Sequence, residues 1–216
     1  MYKRQEHISA ERIDRIEDVL DERTMSLAVI VEGTVDSGNI AAMMRTVEAY
    51  GVQSFHTIDT ARSYKHSRRT SQGAEKWLDR WRWISPADCV VELRRQGFRV
   101  VAAHVDEEAE PIDAIDFSIP TALVFGNELD GVSDEMLALV DATTMIPMSG
   151  FVQSLNVSVA TALCLDAARR NRFAVLGAHG DLDDRSRRRL RAIWYQKSVP
   201  NARGILERKL QDPAER

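Results

Sequence analysis

The sequence predicts an α/β protein with a mostly parallel sheet and helices on both faces. Short apolar runs rich in β-branched residues alternate with helical patterns through the central region. These runs are nearly continuous, as is typical of strands that are buried on both faces. The 216 residues, of which 44% are hydrophobic, are enough for one sizeable core.

The expected strands are short apolar segments, and the expected helices space their apolar residues at helical intervals. The strands are residues 26–33, 54–59, 98–106, 121–126 and 143–148. The helices are residues 9–23, 39–51, 86–97, 133–141 and 156–172. Pro86 and Ser133 suit helix starts, and Gly51 and Gly97 suit helix stops. Strands that alternate with helices in this way favour parallel crossover units.

Composition narrows the classes of function. A net charge of −4 and a pI of about 5.8 give no global basic signal for nucleic acid, so such binding would come from local patches. No apolar run approaches the roughly 20 residues of a membrane span, and the N-terminus lacks a signal-peptide core, so a cytoplasmic location is expected. Cys89 and Cys164 are expected to be buried thiols, and no cluster of ligands indicates a metal site.

Three polar clusters follow the ends of predicted strands, at the edge where open α/β sheets bind ligands. They are residues 32–46, 125–135 and 146–163. Asn39, Ser133 and Asn156 are each explained as helix N-caps, but the apolar residues interleaved in the third cluster favour a ligand pocket. The sequence contains neither a P-loop nor a Rossmann glycine motif.

The segment "IPMSGFVQSLNVSVA" closely resembles the third sequence motif of the SPOUT superfamily of RNA methyltransferases. "NIAAMMRT" and "FGNELDGVS" resemble the first and second motifs. The resemblance covers roughly residues 10–175 and is closest to the TrmH branch, the tRNA guanosine-18 2′-O-methyltransferases. It implies a deep trefoil knot at about residues 121–172 and a homodimer formed through the knot helices. No metal is expected, because methyl transfer from an activated donor needs none, and the lack of a long apolar run predicts no membrane association.

The extent of the resemblance, together with a change in sequence character after residue 176, predicts a domain plan. Residues 25–175 would form the methyltransferase domain. Residues 1–24 would be an N-terminal helical extension, and residues 176–216 a basic C-terminal helical extension.

The resemblance further implies S-adenosylmethionine as the cofactor and assigns site residues. The expected cofactor-binding residues are Ala103, Gly126, Ile146, Met148 and Leu155, and the expected catalytic residues are Arg45, Asn39, Glu128, Ser154 and Asn156. Arg45 would deprotonate the ribose 2′-hydroxyl or, because a guanidinium is almost never a base, position it and stabilise the alkoxide. Glu128 would hold Arg45 or the loop. The alternative without function is a surface ion pair between Arg45 and Glu48.

RNA contacts are expected from two basic stretches. The residues are Arg68, Arg69 and Lys76 in the first, and Arg188, Arg189 and Arg191 in the second. The second stretch equally suits an amphipathic helix that packs its apolar residues on its own or a partner subunit. Trp77, Trp81 and Trp83 are expected in the core or an interface rather than stacked on bases.

The leading hypothesis is therefore S-adenosylmethionine-dependent 2′-O-methylation of guanosine 18 in the D-loop of tRNA. Three alternatives remain open. The first is ribose methylation of ribosomal RNA, and the second is a non-catalytic RNA-binding protein of the SPOUT fold. The third is an unrelated doubly wound nucleotide binder, which would have no knot.

Overall fold

The structure, a computed structural model, describes residues 8–33, 36–59 and 73–199. The chain divides into two compact units. One unit comprises Arg23–Asp181, and the other combines Met1–Glu22 with Leu182–Arg216. The trefoil knot and the domain boundaries at residues 24 and 176 stay predictions.

The larger unit is built on a seven-stranded sheet in which every strand pair is parallel. In chain order the strands are β1 (Thr24–Glu32), β2 (Val52–Ile58), β3 (Asp79–Trp83), β4 (Arg99–Ala103), β5 (Glu110–Pro111), β6 (Thr121–Phe125) and β7 (Ala142–Met145). Their order across the sheet is β3-β2-β1-β6-β4-β7-β5. Because the pairing is parallel, all strands end at the same edge, and the three polar clusters follow β1, β6 and β7 there.

Helices cover both faces of this sheet, as predicted. The helices are α2 (Ser37–Ala49), α3 (Pro86–Arg95), α4 (Asp134–Leu137) and α5 (Val157–Leu176). Alternate residues of β1 face opposite cores: Val29 packs with α2 and α5, and Ile30 packs with α3 and α4. Both residues are fully buried, which explains why this strand is apolar without alternation.

Two strands were missed by the sequence analysis. Strand β3 has the sequence "DRWRW", whose charged residues hide an apolar run, and it forms the outer edge of the sheet beside β2. Strand β5 has only two residues. The predicted helix 133–141 is also shorter, because Asp141 turns back to β4, where its carboxylate accepts from the Val100 N–H at 2.8 Å.

The smaller unit pairs α1 (Ala10–Asp21) with α6 (Asp184–Ser198). Ile16 and Leu20 of α1 and Leu190 and Trp194 of α6 are buried. This pattern agrees with the amphipathic alternative for the arginine-rich stretch, in which its apolar residues are packed.

Both cysteines lie buried in helices, Cys89 in α3 and Cys164 in α5. Burial raises the pKa of each thiol to about 12, so neither is a reactive thiolate at neutral pH. Within the described residues, no helix is long and apolar enough to cross a membrane.

Candidate active site

Helix α2 begins two residues before Asn39, at Ser37. Its cap is Asp36, whose carboxylate accepts from the Gly38 N–H at 2.6 Å and the Asn39 N–H at 3.4 Å. The expectation that Asn39 caps this helix is therefore wrong. Since Asp36 satisfies the exposed backbone groups, the side chain of Asn39 is available for other contacts.

Asn39 instead joins all three polar clusters. Its Nδ2 donates to Oε1 of Glu128 at 2.6 Å, and its Oδ1 accepts from Nδ2 of Asn156 at 3.1 Å. Asn156 also caps α5, because its Oδ1 accepts from the Ser158 N–H at 2.9 Å. The three side chains form a hydrogen-bonded relay, Glu128–Asn39–Asn156, which ties the ends of β1, β6 and β7 together.

A second link between the first two clusters is buried. Glu32, at the end of β1, is 3% exposed and accepts from both the N–H and the hydroxyl of Ser133, at 3.0 and 2.6 Å. Ser133 in turn caps α4 by accepting from the Met136 N–H. No sequence motif assigns a role to Glu32. The sequence does contain a signal for this contact, since Glu32 is an acidic residue at the end of an apolar strand. A carboxylate buried there needs hydrogen-bond partners.

The turn after β6 is a tight loop closed by backbone bonds. The N–H of Asn127 donates to the carbonyl of Gly131, and the N–H of Gly131 donates back to Asn127. A Cβ on Gly126 would lie 2.0 Å from the Gly131 backbone, so only glycine fits at that position. At Gly150 an added Cβ would meet nothing within 4 Å. Of these two glycines, Gly126 is the one in close contact with other backbone, and that contact is within its own loop.

Arg45 lies on α2, two turns beyond the helix start, and its side chain is exposed. Among the residues that the structure describes, no hydrogen bond or ion pair involves it. The alternative ion pair with Glu48 is not formed, because Glu48 contacts the buried Arg23 at 3.2 Å. Glu128 contacts Asn39 rather than Arg45.

The third cluster is an open loop. Met148 and Ser154 are exposed, and Leu155 is half-buried. Ile146 and, from β4, Ala103 are half-buried against the core on the α2–α5 face. Within the described part of the chain, the backbone N–H groups of residues 148–155 make no hydrogen bond. The loop thus presents unpaired backbone donors and acceptors beside apolar side chains.

The expected RNA-binding residues are distributed over both units. Arg68 and Arg69 lie outside the described residues, while Lys76 sits 4.4 Å above the Trp77 ring. Arg188 and Arg189 are exposed on α6. Arg191 differs from them, because its guanidinium forms two bonds with Glu17 of α1, at 2.5 and 2.6 Å.

Comparison with known proteins gives the family. Residues 26–166 match the family model described as the SpoU rRNA methylase family. A tRNA (guanosine(18)-2′-O)-methyltransferase of Thermus thermophilus is 38% identical over 186 residues, or 85% of this chain and 95% of that protein. One from Escherichia coli K12 is 35% identical, over 74% of this chain and 70% of that protein.

The chain belongs to the SpoU methylase family.

Solved structures of the SpoU family agree with the fold. The TrmH/SpoU tRNA modifying enzyme of Aquifex aeolicus superposes with a TM-score of 0.80 at 31% identity, covering 88% of this chain and 98% of that one. The SpoU methyltransferase AviRb of Streptomyces viridochromogenes, solved in complex with AdoMet, gives a TM-score of 0.62 at 30% identity. It covers 77% of this chain and 67% of that one.

As a member of the SpoU family, the chain is an S-adenosylmethionine-dependent RNA methyltransferase. The third loop fits this cofactor: its unpaired backbone groups suit the polar edge of adenine, and Met148, Leu155 and Ile146 suit an apolar wall. No group of three or more metal-ligating side chains occurs in residues 8–33, 36–59 and 73–199.

Proposed function

We propose that this protein methylates the ribose 2′-oxygen of guanosine 18 in tRNA, the activity named for its relatives in Thermus thermophilus and Escherichia coli. One observation carries the proposal for this chain: the relay Glu128–Asn39–Asn156. It fastens α2, which bears Arg45, to the loop expected to hold the cofactor. Such fastening serves a reaction in which the acceptor oxygen must be held in line with a methyl donor.

The cofactor residues act mainly through backbone and apolar surface. Bound S-adenosylmethionine supplies an activated methyl group. Ile146, Met148 and Leu155 would line its adenine, and Gly126 and Ala103 would approach it by backbone. Ser154 lies exposed on the same loop, within the segment that would meet either cofactor or ribose.

Arg45 would act on the acceptor oxygen. A guanidinium remains protonated in proteins, so its strength is as a donor that positions the 2′-hydroxyl and stabilises the negative charge that develops on its oxygen. The exposed position of Arg45, with no ion pair to a described residue, leaves the guanidinium available for ribose or phosphate. Asn39 and Glu128 would act through α2 and the loop, as positioning residues.

Three further features belong to the same proposal. The segment at about residues 121–172 would be knotted, and the exposed apolar residues Val159 and Leu163 of α5 would be covered in a homodimer. Lys76 and the exposed arginines of α6 would hold tRNA phosphates. The cytoplasmic location and the extensions 1–24 and 176–216 remain expectations of the sequence.

The proposal is tested by methyl transfer from labelled S-adenosylmethionine to total tRNA. A tRNA transcript with guanosine 18 replaced serves as the control. We expect labelling of the unaltered transcript alone. Equal labelling of the altered transcript would refute the assignment to position 18, and labelling confined to ribosomal RNA would support the rival substrate.

A further inference from the structure

The sheet edge formed by β3 carries a groove that the proposed mechanism does not use. The groove lies between β3 and α3, has a volume of about 570 Å³, and is lined by Trp81, Trp83, Ile84 and Val91 with His56. We refer to it as the aromatic groove. Trp81 is 52% exposed, so of the two expected locations, core or interface, the core is excluded for this residue. An indole that is half open to solvent offers a large apolar ring face for a ligand to stack on.

The aromatic rings of this groove are held in one orientation. His56 is nearly parallel to Trp81 (17°) and to Trp83 (12°), with ring centroids 6.5 and 6.1 Å apart. Trp83 Nε1 donates to His56 Nδ1 at 3.0 Å, so the proton of the neutral imidazole is on Nε2, which donates to Ser54 Oγ at 2.8 Å. The hydroxyl of Ser54 is therefore not activated as a nucleophile. What remains is a preformed aromatic surface.

Charged residues flank this surface on both sides. Arg82 of β3 is exposed, lines the groove and forms a surface ion pair with Asp59. Arg80 is also exposed, but successive side chains of a strand point to opposite faces, so it lies on the other face of the sheet. On the opposite wall, Asp88 of α3 has an exposed carboxylate without a hydrogen bond to any described residue. Indole rings beside a guanidinium group suit unpaired nucleotides, since indoles stack on bases and a guanidinium contacts phosphates. An exposed ion pair is worth little, so Asp59 does not prevent Arg82 from contacting a phosphate. A carboxylate accepts from the amino groups of base edges.

We propose that the aromatic groove binds an unstacked base of the RNA substrate, with Trp81 as the stacking surface. The proposal rests on the proposed function, because it presumes an RNA substrate. Strand β3 ends at the same sheet edge as β1, and the two strands are about 10 Å apart. The groove is on the α3 face and α2 packs on the other face, so an RNA chain that reaches both sites would pass over this edge. A base bound here would lie close enough to belong to the same RNA molecule as the methylated ribose. The arginines of β3 discourage pairing of this edge with another protein strand.

The test compares Trp81→Ala and Trp81→Phe with a control, Ile119→Ala, which removes an exposed apolar side chain elsewhere in the larger unit. We expect Trp81→Ala to raise KM for the tRNA transcript roughly 5- to 150-fold, the range of one lost base stack. The turnover number and KM for S-adenosylmethionine should not change. Trp81→Phe should retain most of the affinity, because a phenyl ring also stacks, and Ile119→Ala should match the wild type.

Equal KM values for the wild type and Trp81→Ala would overturn the proposal. A change in oligomeric mass of Trp81→Ala by sedimentation would also overturn it, and would assign the groove to a protein interface. If the wild type methylates no tRNA, the proposed function fails separately. Base binding in the groove is then tested by equilibrium binding of the same transcript. Weaker binding by Trp81→Ala would support it, and equal binding would refute it.

Discussion

The side-chain amide of Asn39 donates to the carboxylate of Glu128 at 2.6 Å, across 89 residues of sequence. This contact joins the first turn of α2 to the loop after β6. Because Asn39 accepts at the same time from Asn156, its orientation is fixed from two sides. Core packing of α2 sets the place of this helix, and the polar contact at its start fastens the end nearest the other two loops, six residues before Arg45.

Exchanging the donor and acceptor of this contact tests its role. Asn39→Asp places two carboxylates side by side, and we expect turnover to fall roughly 10- to 100-fold, because small displacements of reacting groups are costly. Adding Glu128→Gln should restore part of the activity, since the new amide can donate to the carboxylate introduced at position 39. Single-turnover methylation of the two single variants and the double variant measures the coupling. Strictly additive losses would show that the contact does not position α2.

Arg45→Ala should reduce turnover strongly while cofactor affinity is kept, because the guanidinium is expected to act on the ribose oxygen rather than on the cofactor. Stability should change by no more than about 0.5 kcal/mol, as for an exposed side chain. The control Arg99→Ala removes an arginine at the opposite sheet edge. The measurements are the turnover number and the affinity for S-adenosylmethionine by calorimetry. Normal turnover in Arg45→Ala would exclude a catalytic role for Arg45.

Gly126→Ala and Gly150→Ala form a matched pair. At Gly126 the new Cβ would lie 2.0 Å from the Gly131 backbone, so the loop has to shift, and we expect a loss of about 2 kcal/mol or more. At Gly150 no atom lies within 4 Å of the new Cβ, so stability should stay within about 0.5 kcal/mol. Denaturant unfolding measures both, and equal effects would contradict the geometry.

The exposed arginines of α6 and the ion-paired Arg191 should differ in how much they contribute to RNA binding. Arg188 is exposed, whereas Arg191 is engaged with Glu17, an interaction that lowers the pKa of Glu17 to about 2. Arg188→Ala should lower the slope of log affinity against log salt by about 1, as for one lost phosphate contact. Arg191→Ala should mainly loosen the α1–α6 pair, as seen in thermal unfolding. Identical salt slopes for the wild type and Arg188→Ala would contradict the phosphate contact.

Stability should depend on pH through His56. Burial lowers the pKa of His56 from 6.5 to about 4, so the unfolded chain takes up its proton at a higher pH than the folded one. The contribution of neutral His56 to the free energy of unfolding is complete above about pH 6.5. As the pH falls towards 4, this free energy decreases by about 2–3 kcal/mol. His56→Gln keeps an acceptor for Trp83 and a donor for Ser54 without titrating. Urea unfolding at pH 7 and pH 4.5 should show a smaller loss in this variant, and equal losses would contradict the assignment.

Local sequence patterns are sufficient to predict much of the fold and part of the candidate active site. The apolar runs of β1 and β6 and the helical spacing of α2, α3 and α5 were predicted because burial on both faces leaves a visible pattern. Strand β3 was missed, since an edge strand need not be apolar. The motifs brought Asn39, Glu128 and Asn156 onto the list of site residues, but as separate residues. The caps at Ser133 and Asn156 were foreseen, whereas the one at Asp36 was assigned to Asn39.

By itself the sequence determined the α/β class, the helices and strands of the central region, and the three polar clusters at one sheet edge. Only the tertiary structure decided that Asn39 lies between Glu128 and Asn156, that Glu32 is buried against Ser133, and that Trp81 is open to solvent. The reason is physical: burial on one or both faces and helix capping each impose a pattern of apolar and polar residues on neighbouring positions of the sequence. Contacts between residues far apart in the chain depend on strand order and on which face each element covers.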